Sequence, residues 1–193
     1  MHGECSADAG AADPVNDPPL REVVQRHAAT EDADGILRCR VALLLDVPPG
    51  RVRVGRACPH CGSSAHGRPW ARLDGSGREV PVSISRSGSH LLTAVWPGGR
   101  AGGRGGDGSR IGVDIESVAA VARGREPALV LHPSERDAVR TDSERAAMWC
   151  RKEAILKALG DGLETPMTAI RAADFTVHDL PAPLGFRAAL AVV

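Results

Sequence analysis

An α+β fold follows from three observations on this 193-residue chain. Helical and strand-like patterns both occur, but they do not alternate in the regular strand-helix-strand rhythm of a parallel sheet. Two strand-like runs, residues 82–85 and 91–96, flank a short polar turn at 86–89, which predicts an antiparallel hairpin. Residues 97–110, seven of whose fourteen positions are glycine, divide the pattern into an N-terminal and a C-terminal half.

Residues 1–19 are rich in Ala, Asp, Gly and Pro and show no apolar periodicity, so a disordered tail is expected and the fold begins near Leu20. Residues 20–27 permit a helix. So do residues 32–45, where Ile36, Leu37, Val41, Leu44 and Leu45 share a broad face. Pro48, Pro49 and Gly50 stop that helix, and residues 51–54 alternate like a short strand. The hairpin then completes an N-terminal α+β half, residues 20–96. The connector 97–110 lacks the G-x-x-x-x-G-K-[ST] pattern of a phosphate cradle and reads as a flexible linker.

The C-terminal half, residues 111–193, opens with a strand in which apolar residues alternate with Gly112, Asp114 and Glu116. Pro133, beside Ser134 and Glu135, suits a helix start, and a long helix ends at Gly160 with Asp142 or Ser143 as its cap. On that helix Met148, Ile155 and Leu159 form a core stripe, while Glu153 and Lys157 lie one turn apart on another face. Residues 175–177 and 186–193, separated by Pro181 and Pro183, read as closing strands.

Charge is balanced at 24 basic and 24 acidic residues, which argues against a protein that works by non-specific nucleic-acid binding. No run is long and apolar enough for a membrane span, and no basic, apolar and small-residue leader opens the chain, so cytoplasm is expected. The five cysteines are an odd number and do not form a secreted disulfide framework, so mostly reduced thiols are expected.

The chemistry concentrates in two stretches. A strand through residues 111–116 points Asp114 and Glu116 from one face, about 7 Å apart. The helix adds Glu153, Lys152 and Lys157. Three carboxylates plus lysines suit Mg²⁺ beside a phosphorylated ligand. Each piece alone has an ordinary reading: D-x-E as the wet face of an edge strand, and Glu153 with Lys157 as a surface ion pair of about 0.3 kcal/mol. Lys152 lies nearer the apolar stripe, where its stem can pack.

The motif Gly112-Val113-Asp114-Ile115-Glu116, followed by Trp149-Cys150-Arg151-Lys152-Glu153-Ala154 and on to Lys157, Gly160 and Leu163, resembles the 4′-phosphopantetheinyl transferases, specifically the larger type that serves polyketide and non-ribosomal peptide synthetases. The resemblance implies two similar α+β halves related by a pseudo-twofold axis, with the active site between them. It implies transfer of the phosphopantetheine arm of coenzyme A to a serine of an apo acyl or peptidyl carrier protein, with release of 3′,5′-ADP. It further implies Asp114, Glu116 and Glu153 as Mg²⁺ ligands, Glu153 as the group that deprotonates the serine, directly or through water, and Lys157 as a phosphate contact. Lys152 is a further candidate for phosphate.

Gly67-Arg68-Pro69 and Ser85-Arg86-Ser87-Gly88 resemble the family's G-[KR]-P and S-H-S-G motifs, which implies that Arg68, Ser85 and Arg86 recognise coenzyme A. Arg86 stands where the family has histidine, and Gly35 stands where a coenzyme-binding arginine is frequent, with Arg38 or Arg40 as substitutes. With a whole site in one chain, a monomer is expected. Cys58, His60, Cys61 and His66 have the look of half a zinc knuckle, but no second C-x-x-C follows to close a four-ligand site, and the stretch is read instead as a loop shaping the coenzyme pocket ahead of Gly67, with zinc as the alternative. The competing functions are a non-catalytic coenzyme A-binding relative, the short trimeric carrier-protein synthase, and a zinc-knuckle nucleic-acid module.

Overall fold

The computed structural model describes residues 22–96, 110–124, 126–160 and 164–193. The expected tail, 1–19, and all of the expected connector but Arg110 lie outside the described residues. Three antiparallel sheets of three strands are present among them.

In the N-terminal half, β1 (Val24–Ala28), β5 (Val82–Ser87) and β6 (His90–Val95) form a sheet in the order β1-β6-β5, with α1 (Ala33–Leu44) between the first strand and the hairpin. The C-terminal sheet joins β7 (Ile111–Ser117), β8 (Thr176–Leu180) and β9 (Phe186–Val192) in the order β7-β9-β8. Between β7 and β8 run two short helices, α2 (Val118–Gly124) and α3 (Pro127–Val130), and the long α4 (Asp142–Leu159). Both sheets therefore place their first strand beside their last, with the preceding strand outermost. A small sheet, β2 (Val52–Ala57), β3 (Arg68–Leu73) and β4 (Glu79–Val80), is inserted into the N-terminal half.

The α+β class is borne out, with local differences. Residues 24–28 form a strand where a helix was expected, because a five-residue segment is too short to hold a helix alone and finds a ready edge in β6, pairing Val24 with Ala94 through Ala28 with His90. The helix cap on α4 is Thr141, not Asp142 or Ser143. The Thr141 hydroxyl accepts from the Glu144 amide at 3.2 Å and the Glu144 carboxylate accepts from the Thr141 amide at 2.8 Å, a complete capping box. Gly160 ends α4 in the left-handed conformation, as expected. The strand β3 escapes a hydrophobic-pattern reading because Pro69 and two arginines interrupt it. It is held by β2, where Trp70 lies opposite Gly55 and leaves no room for a Cβ there, the nearest ring atom being 2.6 Å from that position. Among the described cysteines Cys58, Cys61 and Cys150 are free, in line with mostly reduced thiols, and Cys39 is disulfide-bonded.

Three apolar clusters hold the molecule together. Leu37, Val41, Val52, Val82 and Val95 join α1 to the two N-terminal sheets. Val24, Leu92, Ala94, Ile111, Val113, Ile115 and Leu190 join the N-terminal sheet to the C-terminal one. Ala146, Ala154, Ile155, Ala158, Ala189 and Ala191 pack α4 on β7 and β9. That last approach is close. A Cβ on Gly112 would lie 1.9 Å from the Ala154 carbonyl oxygen and 2.6 Å from the Ala158 amide, so only glycine allows the helix to sit there. No helix among the described residues is long and apolar enough to cross a membrane.

Candidate active site on β7 and α4

Alternation along β7 sends Ile111, Val113 and Ile115 into the cluster shared by the two halves and turns Gly112, Asp114 and Glu116 to the α4 side. The residues opposite on β9 are small where the helix is nearest: Gly112 pairs with Ala191 and Asp114 with Ala189. Asp114 is therefore buried, 2% exposed, at the junction of strand and helix.

β7 is an edge strand of its sheet, and its outward amides are not met by another strand. They are met by alternate serines of β5. The Val113, Ile115 and Ser117 amides donate to Ser83 Oγ at 3.0 Å, Ser85 Oγ at 3.2 Å and Ser87 Oγ at 3.3 Å. This serine ladder satisfies an edge that would otherwise be buried with orphan donors. Ser85 and Ser87 continue into the site: Ser85 donates to Asp114 Oδ1 at 2.7 Å and Ser87 to Glu116 Oε2 at 2.9 Å.

From α4, Lys157 donates to the same Asp114 Oδ1 at 2.6 Å and to the Val113 carbonyl at 3.1 Å. Asp114 is thus pinned through one oxygen by a hydroxyl and an ammonium. Its other oxygen, Oδ2, is buried and meets no N–H or O–H donor, the Cys150 thiol being the weak donor within reach of the carboxylate. A buried carboxylate oxygen left this way is costly unless a cation or donor completes it. Glu153 is half-buried, one helical turn before Lys157 and one after Cys150. The Cys150 thiol donates to the Arg187 carbonyl at 3.1 Å, and burial, with the charges of Asp114 and Glu116 beside it, pushes it far above the usual thiol range. Cys150 is consequently an inert wall of the site.

Lys152 is not brought to this cluster. Its side chain is wholly enclosed, and its ammonium lies 2.6 Å from Glu135 Oε2 and within 2.8, 3.0 and 2.8 Å of the carbonyls of Val130, Met167 and Ile170. Every donor is spent, so none remains for a phosphate. Burial alone would raise the Glu135 carboxyl. The Lys152 ammonium and the amides of Ala172 and His132 outweigh it and hold the group below the usual carboxylate range.

The coenzyme candidates are dispersed. Ser85 is 6% exposed, with its hydroxyl spent on Asp114 and Ile115, and so does not face solvent as a phosphate contact would. Arg68 is exposed at the start of β3, its guanidinium beside Gly160 at the C-terminal end of α4. Arg86 is exposed and donates to the Glu31 carbonyl at 2.9 Å. Arg38 is exposed and lines a groove with Pro49, Gly50, Val52, Arg53 and Val54, whereas Arg40 is buried and donates to the Glu22 carbonyl at 2.5 Å. Gly35 sits under the capping Asp32, whose Oδ2 would be 2.7 Å from any Cβ there.

The family model of the 4′-phosphopantetheinyl transferase superfamily matches residues 110–187. The match supports that superfamily. It spans β7, α4 and the start of β9, and so contains Asp114, Glu116, Glu153 and Lys157, while residues 22–96 fall outside it. The superfamily implies a transferase that moves phosphopantetheine from coenzyme A to carrier proteins. Among curated proteins no match was found.

Sequence reasoning missed the ladder role of Ser83 and Ser87, although serine at every second position of residues 83–87 was the signal for it. It also missed Glu135 as the partner of Lys152, for which the sequence carries no signal, because the two are joined only by the packing of the segment around Pro133 against α4.

Proposed function

We propose that the chain is a 4′-phosphopantetheinyl transferase of the larger, pseudodimeric type, which transfers the phosphopantetheine group of coenzyme A to a serine of an apo acyl or peptidyl carrier protein and releases 3′,5′-ADP. The observation that carries this reading is Asp114, fixed by Ser85 and Lys157 through Oδ1 and presenting a buried Oδ2 that meets no N–H or O–H donor, within the segment that matches the superfamily.

Asp114, Glu116 and Glu153 would hold Mg²⁺, and the donor set of hard oxygens fits that ion. When bound, the ion supplies neutralisation of the charge on the phosphate under attack. The chain's own groups do the rest. Glu153 takes the proton of the carrier serine, directly or through water, as the new bond forms to the phosphorus that carries pantetheine and the bond to 3′,5′-ADP breaks. Lys157, anchored on Asp114 and Val113, faces the phosphates and returns a proton to the leaving group. Ser85 acts behind Asp114 by orienting it. Arg68 and Arg86, exposed on the N-terminal half, contribute to recognition of coenzyme A, with Arg38 as a third contact.

The pseudo-twofold arrangement is supported by the shared strand order, β1-β6-β5 in one half and β7-β9-β8 in the other, each with a helix after its first strand. Ser85 of one half reaches Asp114 of the other within a single chain, which supports reading the enzyme as a monomer. Incubation with coenzyme A, Mg²⁺ and a panel of apo carrier proteins, read by intact mass, tests the proposal. A gain of one phosphopantetheine group on a carrier serine is expected. Coenzyme A binding without any such gain across the panel would instead identify a non-catalytic relative.

A further inference from the structure

The loop between β2 and β3, residues 58–67, carries a group of side chains unrelated to the carboxylates on β7. Cys58 Sγ, Cys61 Sγ and a ring nitrogen of His66 all lie within 4.8 Å of one another. Cys61 Sγ and His66 Nε2 are 3.5 Å apart. Around a tetrahedral Zn²⁺ with bonds of about 2.3 Å to sulfur and about 2.05 Å to nitrogen, neighbouring sulfur and nitrogen ligands stand about 3.6 Å apart and two sulfurs about 3.8 Å. The cysteine and histidine are therefore already at ligand spacing.

The backbone is shaped around the first sulfur. The amides of Cys61 and His60 both point to Cys58 Sγ. The turn that directs them is closed by the Gly62 amide donating to the Cys58 carbonyl and the Cys58 amide donating to the Ser63 carbonyl, each at 2.9 Å, with Gly62 at φ +69°. At the far end of the loop Gly67 has φ +103° and no room for a Cβ, which would lie 2.4 Å from the Ala57 carbonyl oxygen, so the strands re-enter their ladder immediately after His66. Outside the group, His60 Nδ1 lies 3.3 Å from Glu164 Oε1 of the C-terminal half, which tethers the loop across the molecule.

We propose that Cys58, Cys61 and His66 bind one Zn²⁺, with a fourth position left to water. Two thiolates and an imidazole select a borderline-soft ion rather than Mg²⁺, so this site and the carboxylates of β7 take different metals. Binding releases the thiol protons, and the ion fixes the hairpin that ends at Arg68. Only that last consequence, the placing of Arg68 toward coenzyme A, rests on the function proposed above; metal binding itself does not.

The test uses untagged full-length protein, kept reduced, purified from zinc-supplemented medium, and measured for metal per chain by elemental analysis. About one Zn²⁺ per chain is expected. Titration of the metal-free protein with Co²⁺ should give sulfur-to-cobalt charge-transfer and tetrahedral ligand-field bands. Cys61→Ala and His66→Ala change exposed residues and should keep the wild-type circular dichroism while weakening Co²⁺ affinity by on the order of 100-fold or more, at or beyond the effect of losing an outer partner. Wild-type protein that binds neither metal, or variants that bind both as tightly as wild type, would overturn the assignment. The outcome is read without any transfer assay, so failure of the proposed enzyme activity leaves it standing or falling on its own.

Discussion

Replacing Lys152 with methionine separates a structural lysine from a phosphate-binding one. Methionine keeps the stem length and packing and deletes only the ammonium. In the folded protein that ammonium is fully enclosed, 2.6 Å from Glu135 Oε2 and bonded to three backbone carbonyls. Lys152→Met leaves the Glu135 carboxylate with the His132 and Ala172 amides at 2.9 Å each but without a counter-charge, and orphans the carbonyls. Breaking a buried pair from one side costs about 3–5 kcal/mol, a large part of the roughly 5–15 kcal/mol that a domain holds in reserve. With a urea slope of about 2 kcal/mol/M, the unfolding midpoint should fall by about 2 M. Lys152→Met with Glu135→Gln removes both charges and should recover part of the loss. A midpoint shift below about 0.5 M, accompanied by a raised KM for coenzyme A, would refute the structural role and return Lys152 to the phosphates.

Gly112→Ala places a methyl group 1.9 Å from the Ala154 carbonyl oxygen, a backbone atom that cannot move without displacing α4. A loss of about 3 kcal/mol, or about 6–12 °C in Tm, is expected; an unchanged Tm would mean the helix sits farther from β7. Asp114→Ala and Glu153→Ala should each lower transfer by on the order of 10²-fold or more with an unchanged circular dichroism spectrum, and near wild-type turnover at limiting Mg²⁺ by either would remove it from the ligand set. Glu135 is held below the usual carboxylate range, so its contribution to stability is full above its unfolded pKa of about 4.3 and is lost as pH falls through the lower folded value. Unfolding free energy should therefore decline more steeply below about pH 4 in the wild type than in Glu135→Gln, and equal slopes would show that another carboxylate governs acid stability.

How much of this was legible in the sequence depends on how local each cause is. The alternation of Gly112, Asp114 and Glu116, the Arg86–Ser89 turn and the Gly160 stop are properties of short segments, and the structure contains a strand, a hairpin and a helix end at those places. Residues 24–28 failed because pairing with β6, 62 to 70 residues away in sequence, decides their conformation. Lys152 failed for the same reason: its neighbours along α4 gave no sign of the carbonyls of Val130, Met167 and Ile170 that enclose it. Ser85 was expected to meet phosphate, but a hydroxyl suited to phosphate is equally suited to an amide and a carboxylate, and only the apposition of β5 to β7 selects between them.

That apposition gives the sharpest control on the site, because two serines of the ladder share one structural duty and only one of them touches Asp114. Ser83 Oγ accepts the Val113 amide and Ser85 Oγ accepts the Ile115 amide, both buried, so alanine at either position orphans one backbone donor and should cost about 1–3 kcal/mol. Ser85→Ala also deletes the 2.7 Å bond to Asp114 Oδ1, leaving that oxygen to Lys157 alone. If Ser85 is a positioning residue, the two variants should lose similar stability in urea while Ser85→Ala loses much more kcat than Ser83→Ala. Ser85→Thr, which keeps the hydroxyl, should restore part of it. A rise confined to the KM for coenzyme A would make Ser85 a ligand contact, and equal kcat losses in Ser83→Ala and Ser85→Ala would show that the ladder acts on the whole strand rather than through the carboxylate.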